Sequence, residues 1–150
     1  GQPMYNYSAF IYAKDAVNIA LTGQGTLDGQ AGDGTPWCWM SRDYMTDYQD
    51  DDRTALINMN NNRVPVEERI FGQGHFLRPN FIQVIGCENV LVEGITLVRS
   101  PMWEVNPVLC TNVTVRGIHI STKAANNDGI DPESSNVKPR GPGNHPAGSI

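Results

Sequence analysis

Apolar residues recur along this chain in two closely similar blocks. In Asn89-Val90-Leu91-Val92-Glu93-Gly94-Ile95-Thr96-Leu97 the positions 90, 92, 95 and 97 alternate with period two and slip once, at Gly94. In Asn112-Val113-Thr114-Val115-Arg116-Gly117-Ile118-His119-Ile120 the positions 113, 115, 118 and 120 repeat the pattern, with the slip at Gly117. Period two sends alternate side chains to one face of a strand, and a slip at glycine lets the chain bend while both halves keep that face inward. Each block therefore predicts two short strands meeting at a corner. Asn112 follows Asn89 by 23 residues, an interval typical of stacked repeats, so the blocks predict successive coils of an all-β solenoid, a parallel β-helix.

A degenerate third copy starts at Asp15, where Asn18-Ile19-Ala20-Leu21-Thr22-Gly23 aligns with 89–94 and 112–117; its second half, 24–29, drops the isoleucine and gains glycines. Leucine-rich repeats share the period but need Leu-x-x-Leu-x-Leu-x-x-Asn, which neither block has. A β-sandwich yields two similar strands only by chance, whereas this match also runs through Cys, Asn and Gly. The register predicts that Val90 stacks on Val113, Val92 on Val115 and Ile95 on Ile118. The asparagines at 18, 89 and 112 open strands, and the latter two form an amide ladder. Cys87 and Cys110 occupy equivalent places and are read as two stacked, buried free thiols, since buried cysteine behaves as a small hydrophobe.

Outside the blocks the pattern is weaker. Residues 1–14, with Tyr5, Tyr7, Phe10, Ile11 and Tyr12, are a β-prone segment expected to cap the first coil. Residues 30–75 break the period and read as an inserted loop region. Within it Asp43, Asp47, Asp50, Asp51 and Asp52 lack the glycine and terminal glutamate of a calcium loop and read as a solvated acidic loop. Trp37 and Trp39 bracket Cys38 and read as packing groups. His75 has no evident partner in sequence, and His119 points outward. The strand 81–85 returns the chain to the solenoid. The prolines of Ser100-Pro101-Met102-Trp103-Glu104-Val105-Asn106-Pro107 exclude helix and mark a connection between coils. After Ser135 the periodicity stops, so 138–150 is expected to be a disordered Gly/Pro-rich tail, and 1–137 part of one β-helix domain, incomplete at its C-terminal end.

The apolar content of 39% with 15 glycines fits a folded globular chain of 150 residues. A net charge of −5, from 11 basic and 16 acidic residues, argues against a nucleic-acid partner. No apolar run reaches the ~18 residues a membrane span needs, which argues against membrane insertion. The N-terminus has no signal-peptide pattern.

The candidate chemistry lies in Asn126-Asn127-Asp128-Gly129-Ile130-Asp131-Pro132-Glu133-Ser134, a carboxylate on a glycine-broken turn after a β-rich run. From spacing alone Asp128 serves equally as a turn residue before Gly129 or as a reactive group.

Several ordered motifs, GQGTLDGQ, RPNFIQ, SPMWEVNP, CTNVTVRGI and NNDGIDPES, together resemble the polygalacturonase-like glycoside hydrolases of family 28. That resemblance implies a right-handed parallel β-helix that hydrolyses galacturonic-acid linkages in pectin-like polysaccharide or oligogalacturonides with inversion, needing no metal or cofactor, in a secreted or periplasmic setting. Asp128 matches the aspartate of the family's Asn-Thr-Asp-Gly motif, a water-activating base, with Asn127 in place of threonine; Asn126 and Asp131 are expected to orient the site or contact sugar. The family's Asp-Asp pair, which includes the general acid, and its later Gly-His and Arg-x-Lys motifs have no counterpart here. Asn106 stands where the family usually has histidine, a departure expected to weaken substrate contacts. An inverting enzyme needs carboxyls roughly 6.5 to 9.5 Å apart. Asp131 is expected not to serve as the second, because an odd offset of three along a strand points to the opposite face; one repeat beyond Asp128 lies past residue 150. The chain alone is therefore expected to be inactive. The alternative reading is a noncatalytic carbohydrate-binding or structural β-helix module.

Overall fold

A computed structural model describes residues 3–32, 48–122, 126–133 and 135–140. The Trp37-Cys38-Trp39 segment, Asp43, Asp47 and residues 141–150 lie outside the described residues.

Along the chain run β1 (Tyr5–Asn6), β2 (Ile11–Lys14), β3 (Val17–Thr22), β4 (Thr26–Asp28), α1 (Asp50–Asn61), a 3-10 turn (Val66–Glu68), β5 (Ile70–Phe71), β6 (Ile82–Ile85), β7 (Glu88–Glu93), β8 (Thr96–Val98), β9 (Val105–Val108), β10 (Thr111–Arg116), β11 (His119–Ser121) and β12 (Val137–Arg140). The coils stack as three parallel sheets, ordered β2-β6-β9, β3-β7-β10-β12 and β4-β8-β11, with β1 and β5 forming a separate pair. Each coil contributes three strands, so the architecture is the right-handed parallel β-helix that the repeat blocks and the resemblance imply.

The register agrees with the alternation. Val90 pairs with Val113 and Val92 with Val115, Ile19 and Leu21 of the degenerate copy pair with Val90 and Val92, and the His119 N–H donates to the Ile95 carbonyl one residue from Ile118. These side chains build one core with Phe81, Ile82, Val84, Leu97 and Val105, all below a tenth exposed. A fully buried valine contributes about 1.5 to 3 kcal/mol, so the inward row fixes the register against a one-residue slip.

An amide ladder and a glycine hold the corners. Asn89 donates its amide to Asn18 Oδ1 at 2.9 Å and Asn112 to Asn89 Oδ1 at 2.7 Å, so all three asparagines join the ladder. Their φ angles of 58°, 55° and 56° are left-handed, a state asparagine tolerates because its short side chain bonds locally. At Gly94, φ is 77° and a Cβ would lie 2.4 Å from the Gly23 carbonyl oxygen, so this corner admits no side chain. Cys87 and Cys110 are buried free thiols, with the Cys87 N–H donating to Cys110 Sγ at 3.3 Å. Burial, the largest influence on it, raises the Cys110 pKa, which keeps the thiol protonated and unreactive.

Several expectations are corrected. Residues 1–14 do not cover the first coil: Ile11–Lys14 is itself a rung on β6, and Tyr5–Asn6 pairs with β5. Asp50, Asp51 and Asp52 form the first turn of α1, where acidic groups favour the helix dipole. Asp52 is bound by His75 Nδ1 at 2.7 Å and by the Phe76 N–H at 2.6 Å, so His75 has a partner. The helix seats Leu56 against Phe71 and Leu77. Val105–Val108 is a strand despite Pro107, whose missing N–H is tolerated because the Asp131 carbonyl it would have met accepts from Asn106 Nδ2 instead. The strand after Asn136 also exists: Val137–Arg140 pairs with Val113–Arg116, so the backbone at 138–140 is ladder rather than tail.

Candidate active site

The sheet β2-β6-β9 continues into the Asn126–Glu133 loop through the bridges Val105–Ile130 and Val108–Glu133. The Glu104 N–H donates to the Asp128 carbonyl at 3.0 Å and the Val105 N–H to Gly129 at 3.2 Å; in return Asp131 donates to Val105 at 2.9 Å and Glu133 to Pro107 at 2.8 Å. The loop is thereby fixed as an incipient fourth rung.

Asn126 is exposed, with φ 58°, and its Oδ1 accepts from Arg78 Nη2 at 3.4 Å. Arg78 is buried and donates to Gln49 Oε1 at 3.0 Å and to the Pro101 carbonyl at 2.8 Å, so it links the start of α1 to this loop. Asn127, where the family has threonine, acts as a staple. Its amide nitrogen donates to the Ser100 carbonyl at 2.7 Å and Thr122 Oγ1 at 2.6 Å. Asp128 is exposed while its carbonyl accepts from the Glu104 N–H, immediately before β9.

Asp131 is half-buried, and its pKa is raised first by burial, then by the charges of Asp128 and Glu133. The charges of Asp128 and of Glu133 thus both reach Asp131. Residues 128 and 129 lie outside any strand, so the offset of three from Asp128 does not by itself decide which face Asp131 takes.

The expectation for Asn106 is corrected. At 0% exposure it cannot touch substrate; it supports the loop from beneath, donating to the Asp131 carbonyl at 2.8 Å. Sequence reasoning passed over Glu104, which is fully enclosed, with neither carboxyl oxygen hydrogen-bonded, and burial pushes its pKa up to about 7. Extending the 23-residue alignment a few positions upstream sets Glu104 under Phe81 and Asn106 under Gln83, a signal that places both on a rung. A cleft of about 420 Å³ opens on the preceding rungs, between Phe10, Asp28, Gln30, Asn80 and Phe81, with the Phe10 and Phe81 rings stacked at 5.4 Å. Among the described residues no group of three or more His, Cys, Asp or Glu side chains is placed to hold a metal ion, and no helix is long and apolar enough to cross a membrane.

The comparisons agree with this geometry. The family Glycosyl hydrolases family 28 matches residues 72–138, which span β6 to β12 and the candidate loop. A probable polygalacturonase of Vitis vinifera is 26% identical over 131 residues, covering 85% of this chain and 20% of that protein. The crystal structure of a hyperthermoactive exopolygalacturonase from Thermotoga maritima superimposes with a TM-score of 0.83 at 44% identity, covering 92% of this chain and 33% of the other. A polygalacturonase from Erwinia carotovora ssp. carotovora, at 24% identity and a TM-score of 0.59, shares the fold over 88% of this chain and 31% of its own. The chain thus spans a fifth to a third of the length of these relatives. In sequence and in fold the chain is similar to polygalacturonases, and its residues 72–138 match glycosyl hydrolases of family 28.

Proposed function

We propose that this chain forms part of the catalytic cleft of a polygalacturonase that hydrolyses galacturonic-acid linkages of pectin-like polysaccharide or oligogalacturonides with inversion. Asp128 is the water-activating base, and Asn126 and Asp131 hold sugar beside it. The observation that carries this reading is the setting of Asp128: an exposed carboxylate in a motif of the family, on a backbone pinned to β9.

An exposed, ionised carboxylate takes the proton of a water poised on one face of the sugar, while a protonated carboxyl on the other face must supply the leaving oxygen. The family's acid pair has no counterpart in this sequence, so the chain alone does not turn over polymer. Losing general-acid help costs ~10²- to 10⁴-fold. A polymeric substrate that does not cross membranes places the enzyme outside the cell or in the periplasm. The chain up to residue 140 acts as part of one β-helix domain, extended past 137 by the last strand, with 30–75 an insertion. The cleft beside Phe10 and Phe81 also favours a second reading, a noncatalytic carbohydrate-binding module, because stacked rings flanked by amides suit a sugar face.

The test is a chimera. Residues 72–138 replace their counterpart in the Thermotoga maritima exopolygalacturonase, and reducing-sugar release from polygalacturonate is measured with and without Asp128→Asn. Activity that falls by ~10²-fold or more in the mutant, with an unchanged melting temperature, supports the base assignment. Full activity in the Asp128→Asn chimera removes it and leaves the binding module ahead.

A further inference from the structure

On the outer row of the first sheet, Tyr12, Gln83 and Asn106 are in register on β2, β6 and β9. Asp131 continues the row between the two bridges to the loop. Asn106 is the enclosed member, at 0% exposure, and every hydrogen-bonding position of its amide is filled. Oδ1 accepts from Asn80 Nδ2 and from Gln83 Nε2, each at 2.8 Å. Nδ2 donates to the Asp131 carbonyl at 2.8 Å and to Glu133 Oε1 at 3.3 Å. A carbonyl and a carboxylate can only accept, so the NH₂ end must face the loop; the orientation of the amide is determined by its partners.

We infer that Asn106 is the positioning residue of this site: its amide locks the backbone at Asp131 and one oxygen of Glu133 to the preceding two coils, and so fixes where the loop presents Asp131 and Glu133. This rests on the reading of Asp128 and Asp131 as site residues and deepens it. A buried amide with all four positions filled has one orientation of low energy, whereas partial loss leaves enclosed polar groups without partners. Glu133 enters the site by the same contact. Its charge and that of Asp128 both act on Asp131, so its position governs how readily Asp131 holds a proton. The other charged or titratable groups near this row are Lys14, which shares a row with Ile85, Val108 and Glu133, three strands away, Glu104, two residues before Asn106, and Arg78, which donates to Asn126 Oδ1.

Backbone amide hydrogen exchange of the 150-residue chain, read by NMR, tests this without substrate. In Asn106→Leu, which keeps the bulk and removes the donors, the loop loses its side-chain tie to β9, so the Asp131 and Glu133 amides, which donate to Val105 and Pro107, exchange ~10-fold or more faster. Asn106→His returns a ring N–H toward the same acceptors and restores part of that protection. If the leucine and histidine variants exchange equally fast, or if both amides are unmoved in folded Asn106→Leu, the positioning role is overturned. Should Asn106→Leu fail to fold, Asn106→Asp decides: it keeps the shape and the acceptor but removes the donors, and unchanged protection of the two amides overturns the proposal. An active-site reading that fails in the chimera leaves these exchange rates unaffected, so the two failures are distinguishable.

Discussion

Glu104 donates its backbone N–H to the carbonyl of Asp128 at 3.0 Å while its own carboxyl group is buried with neither oxygen hydrogen-bonded. The residue that anchors the candidate base therefore carries the most unfavourable charge in the described structure. Burial raises its pKa from 4.5 to about 7. Between these values the folded state holds a proton that the unfolded chain has released, so stability falls as pH rises through that window and levels off above it. The slope is at most about 1.4 kcal/mol per pH unit, which accumulates to on the order of 3 kcal/mol. Urea unfolding at pH 5 and pH 8 should show wild type weaker at pH 8. Glu104→Gln, which cannot ionise, should lose most of that difference, and an equal pH dependence in the two proteins would remove Glu104 as its source.

Most of the helix was legible because its signal is redundant. Alternation, the glycine corner, asparagine and cysteine all repeat at one interval between 87 and 120, and a wrong register would turn Val113 and Val115 outward together. The α1 helix was not legible: its only buried residue is Leu56, and its acidic first turn has the composition of a loop. The strand after Asn136 was missed because Lys138, Pro139 and Arg140 carry no alternation; it forms by backbone pairing to β10. At the site, Asp128 was found through a motif, whereas the parity rule used for Asp131 presumes a regular strand that the bend at Gly129 interrupts. Asn106 and Glu104 needed the register itself, since an isolated polar residue between valine and proline gives no sign that a coil will enclose it.

The amide ladder makes Asn89 a test of how much exposed side-chain stacking contributes. It donates to Asn18 and accepts from Asn112, and its backbone is left-handed at φ 55°. Asn89→Ala removes both bonds, each about 0.5 to 1.5 kcal/mol net, and adds the left-handed strain of an ordinary residue, about 1 to 2 kcal/mol. A loss of roughly 2 to 5 kcal/mol is expected in denaturant unfolding. Asn89→Gly, which removes the bonds without the strain, should lose less; equal losses would show that the backbone conformation plays no part.

The glycine corners are not interchangeable with the other glycines of the chain. Gly94→Ala places its Cβ 2.4 Å from the Gly23 carbonyl oxygen at φ 77°, whereas nothing lies within 4 Å of a Cβ at Gly25. The first substitution forces two stacked corners apart. It should cost more than ~2 kcal/mol, while Gly25→Ala should stay within about 1 kcal/mol of wild type. Paired thermal melts check this, and similar melting temperatures for the two variants would mean that the corner is not the tight contact described.

The carboxylates of the loop give the final prediction. Asp131 holds its proton more tightly than an ordinary aspartate because it is partly buried and because Asp128 and Glu133 place negative charge beside it. Asp128→Asn removes one of those charges and keeps the side-chain shape, so the Asp131 titration should move down toward the usual carboxylate range. Burial acts first and is unchanged, so the return is partial. Asp128 is exposed, and the bond its backbone accepts from Glu104 does not involve the side chain, so the melting temperature should hardly change. The measurement is a carboxyl NMR titration of wild type and mutant. A downward shift with an unchanged melt places Asp128 and Asp131 on one face, as two carboxylates bearing on one sugar must be. An unmoved Asp131 would mean that their charges do not interact, and the loop would then present Asp128 alone.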